Sequence, residues 1–369
     1  MHYTPDVPLF LGCALLLVAL CRLLHLSHRR RRLADATDKY TFAASDVGRW
    51  RAHLDAEGFV VLRDVLSPAE CDTAIGLLWS WFEGLGSGIK RDEPSTWTTE
   101  AWPGHQLFGF LQTHGGGQSE GAWYVRSHPR VKAAFAAIWG TADLIASLDT
   151  PIAWRPWWLD RSWLPRVERL HCDQNPFTKP GRHCVQGMVP LLGQDRVVGG
   201  LQVVPRTHTE EVQQQLKERY PHLARNGGDD WCELAATDPH IGTATLLECA
   251  PGALILWDSR LIHGGHVGPG RAAPSQETTR GASDGAGGGA ASAAPPTLAR
   301  LSCTVCMTAK SRAKPAVLDQ RREAVAYGHT LTHWPHQYTP HTLPDTGGEA
   351  IRRAYKAPKL REEQWDLVA

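Results

Sequence analysis

From about Leu144 onward the chain breaks into short apolar runs with turn residues between them. They are PIAWRPWW (151–158), CVQGMVPLL (184–192), GGLQVVP (199–205), ATLLECAPGALILWD (244–258) and LARLSCTVCMT (298–308). Runs this short, punctuated by Gly, Pro and Asp, read as strands of an antiparallel sandwich or barrel. No fixed-period repeat accompanies them. Upstream the texture is helical. Val47–Glu57 has helical spacing, with Trp50 and Leu54 on one face and Gly58 following. GFVVLRDVL (58–66) reads as a strand ending in a turn. Ser67-Pro68-Ala69-Glu70 is a helix start, with Ser as N-cap, Pro first and Glu third, for a helix to about Glu83. Pro129–Trp139 is a second short amphipathic helix. Residues 86–125, rich in Gly, Trp, Pro and polar groups, are expected to form loops.

Composition narrows what such a chain can do. With 42% hydrophobic residues among 369, a sizeable core is possible. Lys and Arg total 39 against 38 Asp and Glu, so charge gives no reason to expect a nucleic-acid partner. Fifteen Trp suit a deep core or a pocket for organic molecules, with Trp157 and Trp158 as candidate pocket walls. Nine Cys without regular spacing argue against a disulfide framework and for a reducing compartment. Cys303 and Cys306 form a C-x-x-C, but in a strand that separation points them to opposite faces.

The first 32 residues read as an address. Val7–Cys21 is almost uninterrupted apolar, followed by Arg22, LLHLSH and the basic run Arg29–Arg32. Counting through Leu26, with Arg22 reaching toward headgroups, a single membrane span is feasible. No Lys or Arg precedes the segment, unlike a secretory signal, and the basic flank would leave the rest of the chain cytosolic. The expectation is an endomembrane anchor (1–32) and a linker (33–46) ahead of the main domain (47–312). A cleaved signal and an organelle-targeting peptide are the alternatives. Residues from about 268 to 296 are dominated by Gly, Ala, Ser and Pro and are expected to be a disordered insert between strands. Residues 313–369 read as a C-terminal extension. Its His329, His333, His336 and His341 lack metal-site spacing and read as surface or packing residues.

The chemistry centres on Leu170-His171-Cys172-Asp173-Gln174. Residues i and i+2 of a strand share a face, so His171 and Asp173 can present an imidazole and a carboxylate to one ion. His263, in GALILWDSRLIHGG at the end of an apolar strand, is placed to be the third ligand. Two His and one carboxylate leave positions open on an octahedral ion, the arrangement of non-haem iron(II) oxygenases. H-x-D alone is common, and its bland reading is a satisfied polar pair at a strand end.

The surroundings add to it. LDAEGFVVLRDVLSPAECD (54–72), HCDQ (171–174), GGLQVVPRTH (199–208) and PGALILWDSRLIHGG (251–265), in this order, resemble the phytanoyl-CoA dioxygenase family of iron(II)/2-oxoglutarate oxygenases. The resemblance spans roughly Trp50 to Thr308, with Arg206 where the family usually has Gly. It implies a mainly β fold with flanking helices around a double-stranded β-helix, the jelly-roll or cupin-like core. It implies iron(II) held by His171, Asp173 and His263, with 2-oxoglutarate and O₂ as co-substrates and hydroxylation of a small organic or lipid-like molecule as the default outcome. In the family an arginine after the distal histidine pairs with the far carboxylate of 2-oxoglutarate, a bidentate contact that Lys would not reproduce. Arg271, Arg280 and Arg300 are candidates. Arg271 has the usual short separation. Arg300 opens the only credible strand after the insert and is preferred. Because Asp173 is present, a halogenase variant is not expected.

Gln186 and Met188, alternating in CVQGMVPLL, could face the barrel interior near 2-oxoglutarate or substrate, or simply line the core. Asp258 and Arg260 could pair and orient the strand of His263. His183 reads as a strand histidine, and His208 has no role assigned by the sequence. Two other classes of function stay open: a non-catalytic, membrane-tethered binding protein that keeps the fold, and a cupin-like zinc or manganese enzyme without 2-oxoglutarate. Substrate identity and oligomeric state are not legible.

Overall fold

The structure, a computed structural model, describes residues 39–225, 230–272, 297–341 and 343–369. The chain divides into two units, Met1–Thr41 and Phe42–Ala369, and the fold below is that of the second. The first described strand is β1 (Thr41–Ala43). Helix α1 (Val47–Glu57) buries Trp50 and Leu54, the pair its spacing predicts. Gly58 ends it at φ 85°, donating its N–H to the Leu54 carbonyl. No other residue fits there, since an added Cβ would lie 2.6 Å from the His208 ring and from Leu261. Strand β2 (Phe59–Arg63) follows, then α2 (Pro68–Gly84). Ser67 caps α2 through its side chain while Glu70 accepts the Ser67 N–H at 2.7 Å, a complete capping box. That backbone hydrogen bond, with His128 at 3.1 Å, holds the Glu70 carboxyl down at about 2. Helices α3 (Glu120–Arg126) and α4 (Pro129–Trp139) complete this layer.

Next come β3 (Leu144–Ala146), β4 (Pro151–Trp154), β5 (His171–Cys172), β6 (Val185–Pro190), β7 (Gly199–Val203) and helix α5 (Glu210–Arg219). They are followed by β8 (Cys232–Glu233), β9 (Thr245–Leu246), β10 (Leu254–Asp258), β11 (His263–Val267), β12 (Arg300–Thr304) and β13 (Met307–Ala309). The larger sheet carries β2, β10, β6, β12 and β4 in that order, and the smaller carries β8, β5, β11, β7 and β9. Their ladders are antiparallel. Two facing antiparallel sheets with helices packed outside make the jelly-roll core the sequence led one to expect.

Side-chain alternation sorts each strand between two environments. On β10, Leu254 and Leu256 join the main core with the helices, whereas Trp257 faces the space between the sheets. On β6, Val185 and Val189 join that core while Gln186 and Met188 point inward. On the smaller sheet Leu170 and Cys172 face a second core with Leu216 and Tyr220, leaving His171 to face inward.

Several expectations shift. Residues 86–125 are not all loop, since α3 lies within them, and α5 and the short β3 and β8 were not anticipated. His263 does not end the apolar strand: β10 stops at Asp258, the chain turns, and His263 opens β11. His183 lies in a loop before β6, with Nε2 3.1 Å from the Pro180 carbonyl. At the start of the low-complexity insert, the N–H groups of Gly268 and Gly270 donate to the Val198 and Val197 carbonyls, so pairing continues past β11. Residues 273–296 of the insert, and the whole proposed anchor, lie outside the described residues. Among the described residues no helix is long and apolar enough to cross a membrane. The C-terminal residues are no loose appendage. Helix α6 (Pro315–Tyr327) buries Arg321, whose guanidinium binds the carbonyls of Ala146, Pro335, Leu367 and Val368. Leu367 and Val368 enter the main core just after α7 (Glu362–Trp365).

Candidate metal centre and substrate cavity

The antiparallel register of β11 against β5 sets His263 directly opposite His171. Asp173 follows β5, its N–H donating to the Ser259 carbonyl in the turn that leads to His263. One donor atom from each of the three lies within 4.8 Å of the others, and the residues are buried or nearly so. His171 Nε2 is 3.7 Å from Asp173 Oδ1, and His263 Nε2 is 3.2 Å from Asp173 Oδ2. Each imidazole donates its Nδ1–H to the carbonyl two residues back: His171 to Arg169 at 2.6 Å, His263 to Leu261 at 2.8 Å. That fixes both rings with Nε2 toward the cavity, the tautomer a ligand needs.

Electrostatics agree with the geometry. Burial and the neighbouring His263 hold His171 at about 4, so it is neutral and ready to donate a lone pair. Burial alone would raise Asp173, but His171 and the His263 hydrogen bond outweigh it and keep it well below the usual carboxylate range. Burial would likewise lower His263, yet its contact with Asp173 raises it instead. Trp231 stacks on His171 with ring centroids 4.0 Å apart. Gln186 donates to Asp173 Oδ2 at 2.8 Å, so its main contact is with the carboxylate of the centre.

Around these groups lies a cavity of about 790 Å³ between the sheets. Arg300, the first residue of β12, lines it opposite Trp154 in register. Its guanidinium is buried, sits 4.6 Å over the Trp154 ring and approaches Met188 Sδ at 3.2 Å. Its Nε has no partner, and no carboxylate reaches it among the described residues. Burial pushes its pKa down to about 10, still cationic at neutral pH. Arg271 stays exposed, stacked on Trp158, and does not line the cavity, while Arg280 lies outside the described residues.

Other candidates sort as cleanly. Trp157 and Trp158 are not on the cavity wall; Trp154, Trp231, Trp257 and Trp334 are. Asp258 and Arg260 pair as expected, and Arg182 binds the same carboxylate. His208 donates to the Asp55 carbonyl, beneath α1. Arg206 stands at φ 66°, the left-handed region that favours glycine, and grips Glu57 through Nε and a terminal nitrogen. Cys303 and Cys306 are buried free thiols in separate clusters.

Sequence reasoning missed Glu168, whose carboxyl is raised to about 7 by burial and by Asp173, and His333 and His341 from the C-terminal segment. The tail had read as packing, yet the strand-like pairing of Leu331 with Pro340 folds it over the cavity. Only its isolated apolar residues (Leu331, Trp334, Leu343) hinted at such a role.

A jelly roll presenting two histidines and an aspartate inside a cavity between its sheets defines a metal-dependent oxygenase-type scaffold. Residues 54–267 match the family Phytanoyl-CoA dioxygenase (PhyH), and the chain belongs to that family. It is 30% identical over 224 residues to Ava biosynthesis cluster protein O of Aspergillus versicolor, covering 58% of this chain and 71% of that protein. Among solved structures, the epimerase SnoN in complex with Fe3+, alpha ketoglutarate and nogalamycin RO overlaps 72% of this chain and 84% of its own, at 15% identity and TM-score 0.44. EctD from S. alaskensis with bound Fe overlaps 71% and 76%, at 18% identity and TM-score 0.42. The family uses iron(II) and 2-oxoglutarate, and the residues here fit both. The donor set suits ferrous iron, and Arg300 is a buried cation lacking an anion.

Proposed function

We propose that this protein is an iron(II)- and 2-oxoglutarate-dependent dioxygenase that hydroxylates a small organic substrate, with His171, Asp173 and His263 holding the metal. Arg300 binds the far carboxylate of 2-oxoglutarate. One observation carries the reading: a unpaired, buried guanidinium shares a cavity with a converging two-histidine, one-carboxylate set. Bound there, iron and 2-oxoglutarate would supply the oxidising power, with 2-oxoglutarate and O₂ converted to succinate, CO₂ and a hydroxylated product.

The chain's own residues set the conditions. The Arg169 and Leu261 carbonyls hold the two imidazoles in ligand orientation. Gln186 holds the Asp173 carboxylate that would ligate the metal, so that it does not turn toward solvent. Trp154 and Met188 keep water from Arg300, which strengthens its pull on a carboxylate. Trp231 and Trp257 shield the centre from bulk water, which limits side reactions. Family substrates are small organic molecules or lipid-like esters, and the cavity is of a size to take one.

The test is an anaerobic titration of a chain beginning near Leu33 with iron(II), then 2-oxoglutarate, watching for the visible charge-transfer band of the chelated keto acid. Wild type should give the band and His171→Ala should not. Absence of the band in folded wild type would overturn the reading.

A further inference from the structure

The charged side chains that line the cavity sort into partnered and unpartnered groups. Asp230 is held by Lys179 at 2.6 Å, Glu233 by Arg169, and Asp173 by Gln186 and the histidines. On the reading above, on which this inference rests, ferrous iron, Asp173, 2-oxoglutarate and Arg300 cancel one another's charge. Three charged groups are then left over: Glu168, Asp149 and Arg166. Arg166 is at the exposed rim, where water screens it.

Glu168 and Asp149 lie deeper. Among the described residues the Glu168 carboxylate has no hydrogen bond and no ion pair; only its backbone carbonyl is used, by the Gly265 N–H. Asp149 is 9% exposed, and Oδ1 accepts the Thr150 N–H at 2.7 Å, while Oδ2 has no partner among the described residues. The charge of Asp149 helps to raise the Glu168 carboxyl, while the buried Arg126 guanidinium, which donates to the Asp149 carbonyl, and His341 lie beside Asp149 itself. An ionised carboxylate can only accept hydrogen bonds, and two of them in a water-poor cavity repel. A neutral hydroxyl could satisfy the lone pairs of an ionised Glu168 but would leave its charge unbalanced. The rest of the wall includes the aromatic side chains of Phe108 and Phe110, a residue type whose rings can attract a cation.

We propose that Glu168 and Asp149 are specificity-determining residues that select a substrate with a protonated basic nitrogen on an apolar, ring-sized body. The partner chemistry is that of a hydrophobic amine, and a carboxylate-bearing analogue is excluded from the same place.

The probes are tryptamine, tryptophol and indole-3-acetate, which share a ring system and differ in the charge of the terminal group. Binding is measured by calorimetry at mildly alkaline pH on the anaerobic protein loaded with iron(II) and 2-oxoglutarate, and in parallel on metal-free protein. Tryptamine should bind at least about tenfold more tightly than tryptophol, and indole-3-acetate more weakly than either. In Glu168→Gln/Asp149→Asn the amine should fall to the affinity of the alcohol, while the alcohol itself changes little. A misfolded variant would lose both, which separates a structural effect from a selective one. Equal affinity of the three probes, preference for the acid, or no amine binding in the millimolar range would overturn the proposal. Failure of the oxygenase reading is seen separately as a missing charge-transfer band, and the amine preference of the metal-free protein does not depend on that band.

Discussion

Replacing Arg300 by Met should move stability and ligand affinity in opposite directions. The side chain is 6% exposed, and burial pulls its pKa down to about 10. At about 1.4 kcal/mol per pH unit, that corresponds to ~3 kcal/mol against the charged form in the folded state. Because the folded pKa lies below the unfolded one for a cation, the penalty is fully present at neutral pH and is relieved only as pH rises above 10. The Trp154 face returns about 1–2 kcal/mol of it through cation–π attraction. Met has a similar length and no charge, so the ligand-free variant should be as stable as wild type, or more stable by about 1–2 kcal/mol. With 2-oxoglutarate the sign reverses. Losing a buried, charge-assisted bidentate contact should weaken binding by ~2–5 kcal/mol, at least about thirtyfold in Kd. The assays are chemical denaturation of metal-free protein and anaerobic titration of the charge-transfer band. A variant that unfolds more easily yet binds 2-oxoglutarate like wild type would refute the assignment, the more so if Arg271→Met lost affinity instead.

Gln186→Leu removes the amide contact that holds Asp173 and should weaken iron(II) binding about tenfold or more, read by competition with a metal-sensitive dye, with little change in melting temperature. Ser67→Ala removes the N-cap of α2 and should lower stability by about 1 kcal/mol in urea denaturation. The contribution of Glu70 should be full above its unfolded range near 4 and disappear as pH falls toward about 2, so the gap between wild type and Glu70→Gln should close over that interval. Deleting residues 366–369 strips Arg321 of two carbonyl partners and the core of Leu367 and Val368. We expect a loss of at least about 3 kcal/mol, visible as a fall in melting temperature and as faster proteolysis.

Most of the centre was legible because its parts are local. H-x-D on one strand face, a histidine beside a Gly-Gly, and a capping box are short-range patterns that the chain cannot easily use otherwise. Arg300 is preferred over Arg271 because it opens the strand after the insert, and β12, paired with β4 and β6, does begin at that residue. What escaped depends on contacts distant in sequence. Nothing in THWPHQYTPH reports that Thr332, His333 and His341 will reach a cavity built some 160 residues earlier, because their partner is the fold and not their neighbours. Trp157 and Trp158 misled for a related reason. The strand ends at Trp154, and the turn after it carries both rings away from the space that Trp154 faces. Arg206 shows the converse case. Its left-handed backbone accounts for the glycine usual at that point in the family, while the side chain is held by Glu57 in α1, a contact that no spacing rule supplies.

The two sheets divide the work of the site. The smaller contributes the imidazoles of His171 and His263, each locked by a carbonyl of its own segment, so their orientation is set by local backbone before any ion arrives. The larger contributes Gln186 and Arg300, the groups that hold Asp173 in place and offer a charge to an anion. Neither half is a site alone. Asp173 is the joint, held to the larger sheet by Gln186 and facing both histidines of the smaller. A slip of β6 by even one residue in its ladder with β10 would turn Gln186 into the helical core and bring Val185 toward Asp173. The buried Arg321 clamp ties the last residues to β3, the strand that pairs with β13.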